Sequence, residues 1–385
     1  MYTILFLFLY VGGRAIKLEK CPVPNWSKIA CEILTQCIET DCTRLQLDTM
    51  DFLDREIVGP IPTNIWAMMP KLETVLLGNN QFTGTIPQSL LELPNLKKLS
   101  VPNNLLSGNV SNIVLKSLEY LNLSNNTFFG SIKMKDLYTN LTLFEINNLK
   151  NVTVNLDGFP SMLEVLDLGS CDLSETSLET IGHATSVTAL TLSHTQLQGT
   201  IPSGIGALKK HLDSIAFQGN NLIGTIPESF GELINLEFVD LSNNKLNGTI
   251  PSSIGENLKK LAVFNVAVNL LSGSLPVFKS PYMASLFLHL NRFSNVPSGM
   301  VEASEDNLIF LSLASQSSRT LVLEEGAFSG IKIRRANQGA NPYEPKPGAR
   351  LVLANNRIEI IPAYLFGNNN THSGSYIDLS YVFFF

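Results

Sequence analysis

The stretch Asn235–Gly255, NLEFVDLSNNKLNGTIPSSIG, decides the fold. Its apolar residues Leu236, Val239, Leu241, Leu246 and Ile250 fall at spacings of 3, 2, 5 and 4. An amphipathic helix repeats every three to four residues and a half-buried strand alternates strictly, so this order is neither. The portion around Val239 and Leu241 reads as one short strand, with those two side chains inward and Phe238 and Asp240 outward. Asn244 turns the chain, and its amide is suited to backbone groups that the bend leaves unpaired. Gly248 permits a tight local conformation, and Ile250-Pro251 begins a return.

The same order, LxxLxLxxNxLxGxIP, recurs along the chain. Units begin at Leu47, Leu72, Leu96, Leu118, Leu141, Leu163, Val187, Leu212, Leu236, Leu261, Met283, Leu308 and Arg350, which makes 13, and YIDLS at Tyr376 starts another. They are spaced by 22 to 25 residues until the last step, where 40 residues separate Leu313 from Leu353. One such coil buries almost nothing alone, so stability must arise between neighbours and the ends need caps. The pattern predicts an α/β solenoid: a curved superhelix with one long parallel sheet on its concave face and irregular or short helical returns on the convex side. At about 4.8 Å per strand, 13 coils give a sheet of roughly 60 Å.

The remaining composition points outside the cell. Met1–Ala15 has a short apolar run, Ile4–Val11, followed by small residues, as a secretory signal does. That run is too short for a bilayer, which needs roughly 20 residues. Cys21, Cys31, Cys37 and Cys42 cluster directly after it and read as two disulfides with three possible pairings. Zinc is disfavoured because neither a CxxC pair nor a companion His is present. Sequons occur at Asn25, Asn109, Asn122, Asn125, Asn140, Asn151, Asn247 and Asn369. A net charge of -6 with scattered basic residues excludes a nucleic-acid partner. The resulting layout is a signal over 1–15, a cysteine-containing cap over 16–46, and repeats over 47–320. An irregular coil with a Pro/Gly-rich loop follows over 321–349, then terminal repeats over 350–385 that stop in mid-repeat, as in a fragment.

The GxIP element, at Gly59, Gly84, Gly199, Gly224 and Gly248 and as GSLP at Gly273, resembles that of the plant-type extracellular leucine-rich repeat family. Receptor-like proteins, receptor-kinase ectodomains and polygalacturonase-inhibiting proteins share it. The resemblance covers about Leu47–Pro362. It implies a secreted or cell-surface module that binds a protein, peptide or glycan on its concave face, with a co-receptor as a second partner. The alternative it implies is a secreted inhibitor of a cell-wall-degrading enzyme such as polygalacturonase.

Catalysis is not expected. The histidines His183, His194, His211, His289 and His372 are scattered, and no nucleophile elbow, phosphate loop or dinucleotide fingerprint occurs. No cofactor or metal is implied. Cys171, Leu149 and Thr195 occupy the Asn position of their units and break the amide ladder there. Binding is expected at outward strand positions, which the fold leaves free. Tyr120, Phe238, Asp240, Phe287, His289 and Phe310 are the candidates, the three phenylalanines forming one apolar patch. Arg334, Arg335 and Tyr343 in the late loop are secondary candidates, against the plain reading of an ordinary surface loop.

Overall fold

The computed structural model describes residues 28–47, 57–113, 117–137, 140–301, 308, 310–317, 320–328, 350–354, 356–358, 376–378 and 383–384. The chain divides into two compact units, Met1–Gly108 and Asn109–Phe385.

The first unit opens with the helix Lys28–Thr40, whose buried stripe is Ala30, Cys31, Leu34 and Cys37. That spacing of roughly one helical turn gives an amphipathic face, and the helix packs it toward the first strand. Cys37 bonds to Cys42 just beyond the helix. Cys31 is disulfide-bonded too, whereas Cys21 lies outside the described residues. Strands Arg44–Gln46, Thr74–Leu76 and Lys98–Ser100 follow in parallel register, with Leu45, Val75 and Leu99 fully buried.

The first strand is five residues earlier than the repeat pattern placed it. Arg44 stands opposite Thr74, so Leu45 and Leu47 fill the two inward positions. A unit beginning at Leu47, as the repeat order places it, would instead put Thr49 and Asp51 at the outward strand positions. In sequence, 12 positions separate Leu47 from Gly59 against seven from Leu77 to Gly84, so a register counted from the glycine is displaced by that difference.

In the second unit the strands Tyr120–Asn122, Leu143–Glu145, Val165–Asp167, Ala189–Thr191, Ser214–Ala216, Phe238–Asp240, Val263–Asn265, Ser285–Phe287, Phe310–Ser312, Arg350–Val352 and Tyr376–Asp378 lie side by side in chain order. All are parallel and in strict register. This is the long parallel sheet of a leucine-rich repeat solenoid. Behind it, the returns use short 3-10 helices such as Ser203–Lys210 and Glu228–Glu232, and the short α-helix Ser252–Asn257.

The GxIP elements also do something the sequence pattern did not announce. They lie in or beside short parallel ladders of their own, for example Asn247–Gly248 with Leu270–Ser274. Gly248 sits at φ +76, and a Cβ there would lie 2.8 Å from the Thr225 methyl of the preceding coil. Gly224 meets Thr200 in the same way, at 2.9 Å. The Thr of GTIP thus packs onto the next glycine, which explains why small side chains recur at both places.

The Asn ladder holds one coil to the next. Asn244 Oδ1 accepts from Leu222 N at 3.0 Å, and its Nδ2 donates to the carbonyls of Phe217, Leu241 and Ser242. Asn269, Asn291 and Asn356 repeat this, and Gln316 substitutes for Asn in its coil. Where the ladder breaks, Cys171 Sγ donates to Ile146 O at 3.0 Å and Thr195 Oγ1 donates to Leu192 O at 2.9 Å. Both therefore replace part of the amide's work, while Leu149 contributes only apolar burial.

Gln316 N donates to Asn356 Oδ1 across the 40-residue step, so these two are consecutive rungs. Strand Phe310–Ser312 pairs directly with Arg350–Val352. The segment read as an irregular coil supplies Val322–Leu323 to the returning ladder, opposite Asn295–Val296. Among the described residues it adds no strand to the main sheet.

Candidate functional site

The open side of the main sheet in the second unit carries two columns of side chains that the core does not use. One runs Tyr120, Leu143, Val165, Ala189, Ser214, Phe238, Val263, Ser285, Phe310. The other runs Asn122, Glu145, Asp167, Thr191, Ala216, Asp240, Asn265, Phe287, Ser312. Strict register makes each column continuous, with neighbours about 4.8 Å apart.

The aromatic candidates are brought together only in part. Phe287 and Phe310 stack at a centroid distance of 4.9 Å, and His289 meets Phe287 edge-on at 6.5 Å. All three are half-buried. Phe238 is 37% exposed but shares its column with Phe310 across Val263 and Ser285, so it stands apart from that pair. The expected single patch is a pair with a histidine at its edge, plus one isolated ring. His289 Nδ1 is buried without a hydrogen-bond partner, and burial lowers the pKa of its ring below the ordinary value.

Polar candidates belong to two networks. Asp240 accepts from Ser242 N at 2.9 Å, from Ser242 Oγ at 2.6 Å and from Asn265 Nδ2 at 3.0 Å. Tyr120 Oη donates to Glu145 at 3.2 Å, and Asn122 donates to the same carboxylate. Burial holds Glu145 above the usual carboxylate range, and neighbouring Asp167 pushes in the same direction against the bonds from Tyr120 and Asn122. Asp167 in turn accepts from Asn147 Nδ2 at 2.8 Å and Gly169 N at 3.0 Å.

Among the described sequons, Asn109, Asn140, Asn151 and Asn247 are exposed. Asn109 accepts from Ser111 N and caps a 3-10 turn. Asn122 is tied to Glu145 and Ser124, and Asn125 accepts from Asn148. Asn25, Asn369, Arg334, Arg335, Tyr343 and His372 lie outside the described residues. Cys171 is buried as a free thiol, and burial pushes its pKa up to about 12. Among the described residues, no group of three or more His, Cys, Asp or Glu could hold a metal, and no helix is long and apolar enough to cross a membrane.

Sequence reasoning missed a third column, one residue before each strand: Glu119, Thr142, Glu164, Thr188, Asp213, Glu237, Ala262, Ala284. A run of backbone hydrogen bonds of 2.7 to 2.8 Å links these residues in order. Burial and then Glu237 raise the pKa of Asp213. The signal was present as the LE or LD dipeptide that opens four of the second unit's repeats, at Leu118, Leu163, Leu212 and Leu236.

The Leucine Rich Repeat family pattern matches residues 71–93, 117–135 and 235–257. Receptor-like protein 1 of Arabidopsis thaliana is 34% identical over 161 residues, which is 40% of this chain and 15% of that protein. The repeats of this chain are similar to those of plant extracellular leucine-rich repeat proteins. The leucine-rich repeat receptor protein kinase MSP1 of Oryza sativa subsp. japonica is 40% identical over 80 residues, 19% of this chain and 6% of that one. The matched stretches span 6% to 22% of the curated relatives' own length. Among solved structures, the Arabidopsis receptor kinase HAESA, in complex with the peptide hormone IDA and the co-receptor SERK1, aligns with a TM-score of 0.64 at 24% identity. The alignment covers 86% of this chain and 52% of that one. A TDR receptor aligns with a TM-score of 0.60 at 23% identity, over 85% of this chain and 62% of that one. At these identities the structures share the fold of this leucine-rich repeat chain.

Proposed function

We propose that this chain is the ligand-recognition part of a plant cell-surface receptor, and that it binds its ligand on the open face of the second unit's sheet. The observation that carries the reading is the half-buried Phe287–Phe310 pair on a face whose packing requires no aromatic side chain there. Large rings left at a rigid surface are typical anchors for a partner. The relatives named receptor-like proteins, and the receptor kinase solved with a peptide hormone, support a recognition role of this kind. The ligand would dock by surface complementarity without covalent chemistry. A cysteine-bonded cap, repeats from Arg44 onward and the segment around 331–349 would form one extracellular module in this reading.

The test uses the secreted full chain, immobilised beside a Phe287→Ala/Phe310→Ala variant that melts at the same temperature. Extracellular fluid is passed over both, and the retained peptides, proteins and glycans are compared by mass spectrometry. A species held by the wild type and lost on the variant is the expected result. Identical retained sets would remove the open face from consideration.

A further inference from the structure

We propose that the ligand of this face is an extended peptide segment with a particular spacing. It lays an apolar or aromatic side chain on Phe287 and Phe310, and a Lys or Arg about three residues away against Glu237 and Asp240. The inference rests on the recognition reading above and gives it a chemistry.

Charge is the first argument. Neither the outward strand columns nor the column preceding them contains a Lys or Arg between Glu119 and Ser312, yet they hold Glu119, Glu145, Glu164, Asp167, Asp213, Glu237 and Asp240. In the first unit the equivalent column neutralises itself, because Lys97 Nζ lies 3.0 Å from Glu73 Oε2. Other ion pairs among the described residues join Lys71 to Asp41, Lys209 to Glu232 and Lys279 to Glu256, and none reaches the acidic columns. Asp213 and Glu237 occupy consecutive rungs, 2.8 Å apart between backbone N and O. Like charges so placed repel unless a cation arrives, and a basic ligand supplies it.

The second argument is what lies beside the charge. Two strands on from Asp240, past Asn265, the same column becomes Phe287. The turns that follow the strands from Thr74–Leu76 to Phe310–Ser312 hold a residue at positive φ, and Asn does so in the coils of Asn79, Asn103, Asn125, Asn148 and Asn243. In the two coils beside the aromatic pair that place is taken by Val268 (φ +58) and Leu290 (φ +56), with Leu290 exposed. A β-branched or bulky residue is disfavoured there, so the apolar surface persists against a local backbone cost. His289 Nδ1 and Gln218 Oε1, at equivalent turn positions beside this face, are buried polar atoms without a partner.

Spacing follows from the register. Asp240 and Phe287 are two strands apart, about 10 Å, which an extended peptide crossing the strands covers in roughly three residues. An acidic segment would meet seven carboxylates, and a neutral one would bring them no counter-charge.

The probe is a displayed random peptide library of about twelve residues, panned on the secreted full chain. Phe287→Ser/Phe310→Ser and Glu237→Gln/Asp240→Asn serve as parallel targets. The expected result is enrichment of sequences with Lys or Arg about three positions from an apolar residue. Their synthetic forms weaken at least tenfold on either variant, and several-fold when salt rises from roughly 0.05 to 0.3 M. Uncharged or acidic sequences that lose binding only on the aromatic variant would overturn this chemistry and leave recognition by the open face standing. Sequences that bind both variants as well as the wild type, or no enrichment over them, would overturn both. The charge variant removes no buried apolar side chain, so it reads the proposal even if the aromatic variant folds poorly.

Discussion

Asn244→Ala tests how consecutive coils are joined. The wild-type amide accepts from Leu222 N and donates to three carbonyls. Each of those carbonyls has a second donor. Phe217 O also receives Asn220 Nδ2, Leu241 O also receives Asn269 Nδ2, and Ser242 O also receives Gly219 N. Only Leu222 N–H is orphaned by the substitution, in a fully buried residue. One orphaned buried donor costs about 1–3 kcal/mol.

Asn220→Ala alone leaves Phe217 O satisfied by Asn244. In the double variant Phe217 O loses both of its side-chain donors, so a further buried group is stranded. The double-mutant cycle should therefore show an extra destabilisation of about 1–3 kcal/mol beyond the sum of the single changes. Repeat arrays open locally, so the readout is amide hydrogen exchange around Leu222 and Leu246, together with denaturant unfolding of the full chain. A cycle that closes to within about 0.5 kcal/mol would refute the shared-carbonyl account.

Further outcomes follow from other sites. Gly248→Ala forces a Cβ at φ +76 toward the Thr225 methyl and should destabilise by about 1–3 kcal/mol. Gly204→Ala meets open space and should be neutral or stabilising by up to about 1 kcal/mol; both are read by thermal melting. Glu145 has a folded pKa raised by burial above 4.5, so its protonated form favours the folded state. That contribution is fully present below the unfolded value and is lost as pH rises through the folded value. Melting of Glu145→Gln should accordingly depend less on pH than the wild type from about pH 4 to 7. The Cys171 thiol, buried and shifted to about 12, should resist a disulfide reagent at neutral pH until the chain unfolds. Reaction in the native state would mean that its coil opens readily.

The repeat order around Asn235–Gly255 carried the sheet, its parallel sense and the inward leucines. Each is a local consequence of spacing, repeated often enough to be unmistakable. The Asn, Gly and Pro positions were legible for the same reason, since each answers a backbone demand within its own coil. Three features needed the tertiary structure. The first strand at Arg44–Gln46 is fixed by pairing with Thr74–Leu76, which a count back from Gly59 does not see. Gln316 and Asn356 meet as neighbouring rungs although 40 residues separate them in sequence. The candidate site is the third. Each strand's outward residues were readable, but which of them touch depends on the register between coils. Register stacks Phe287 against Phe310, leaves Phe238 apart and lines up Glu119, Glu164, Asp213 and Glu237 along one edge. A single repeat sets which side chains face outward, and only the stack sets their neighbours.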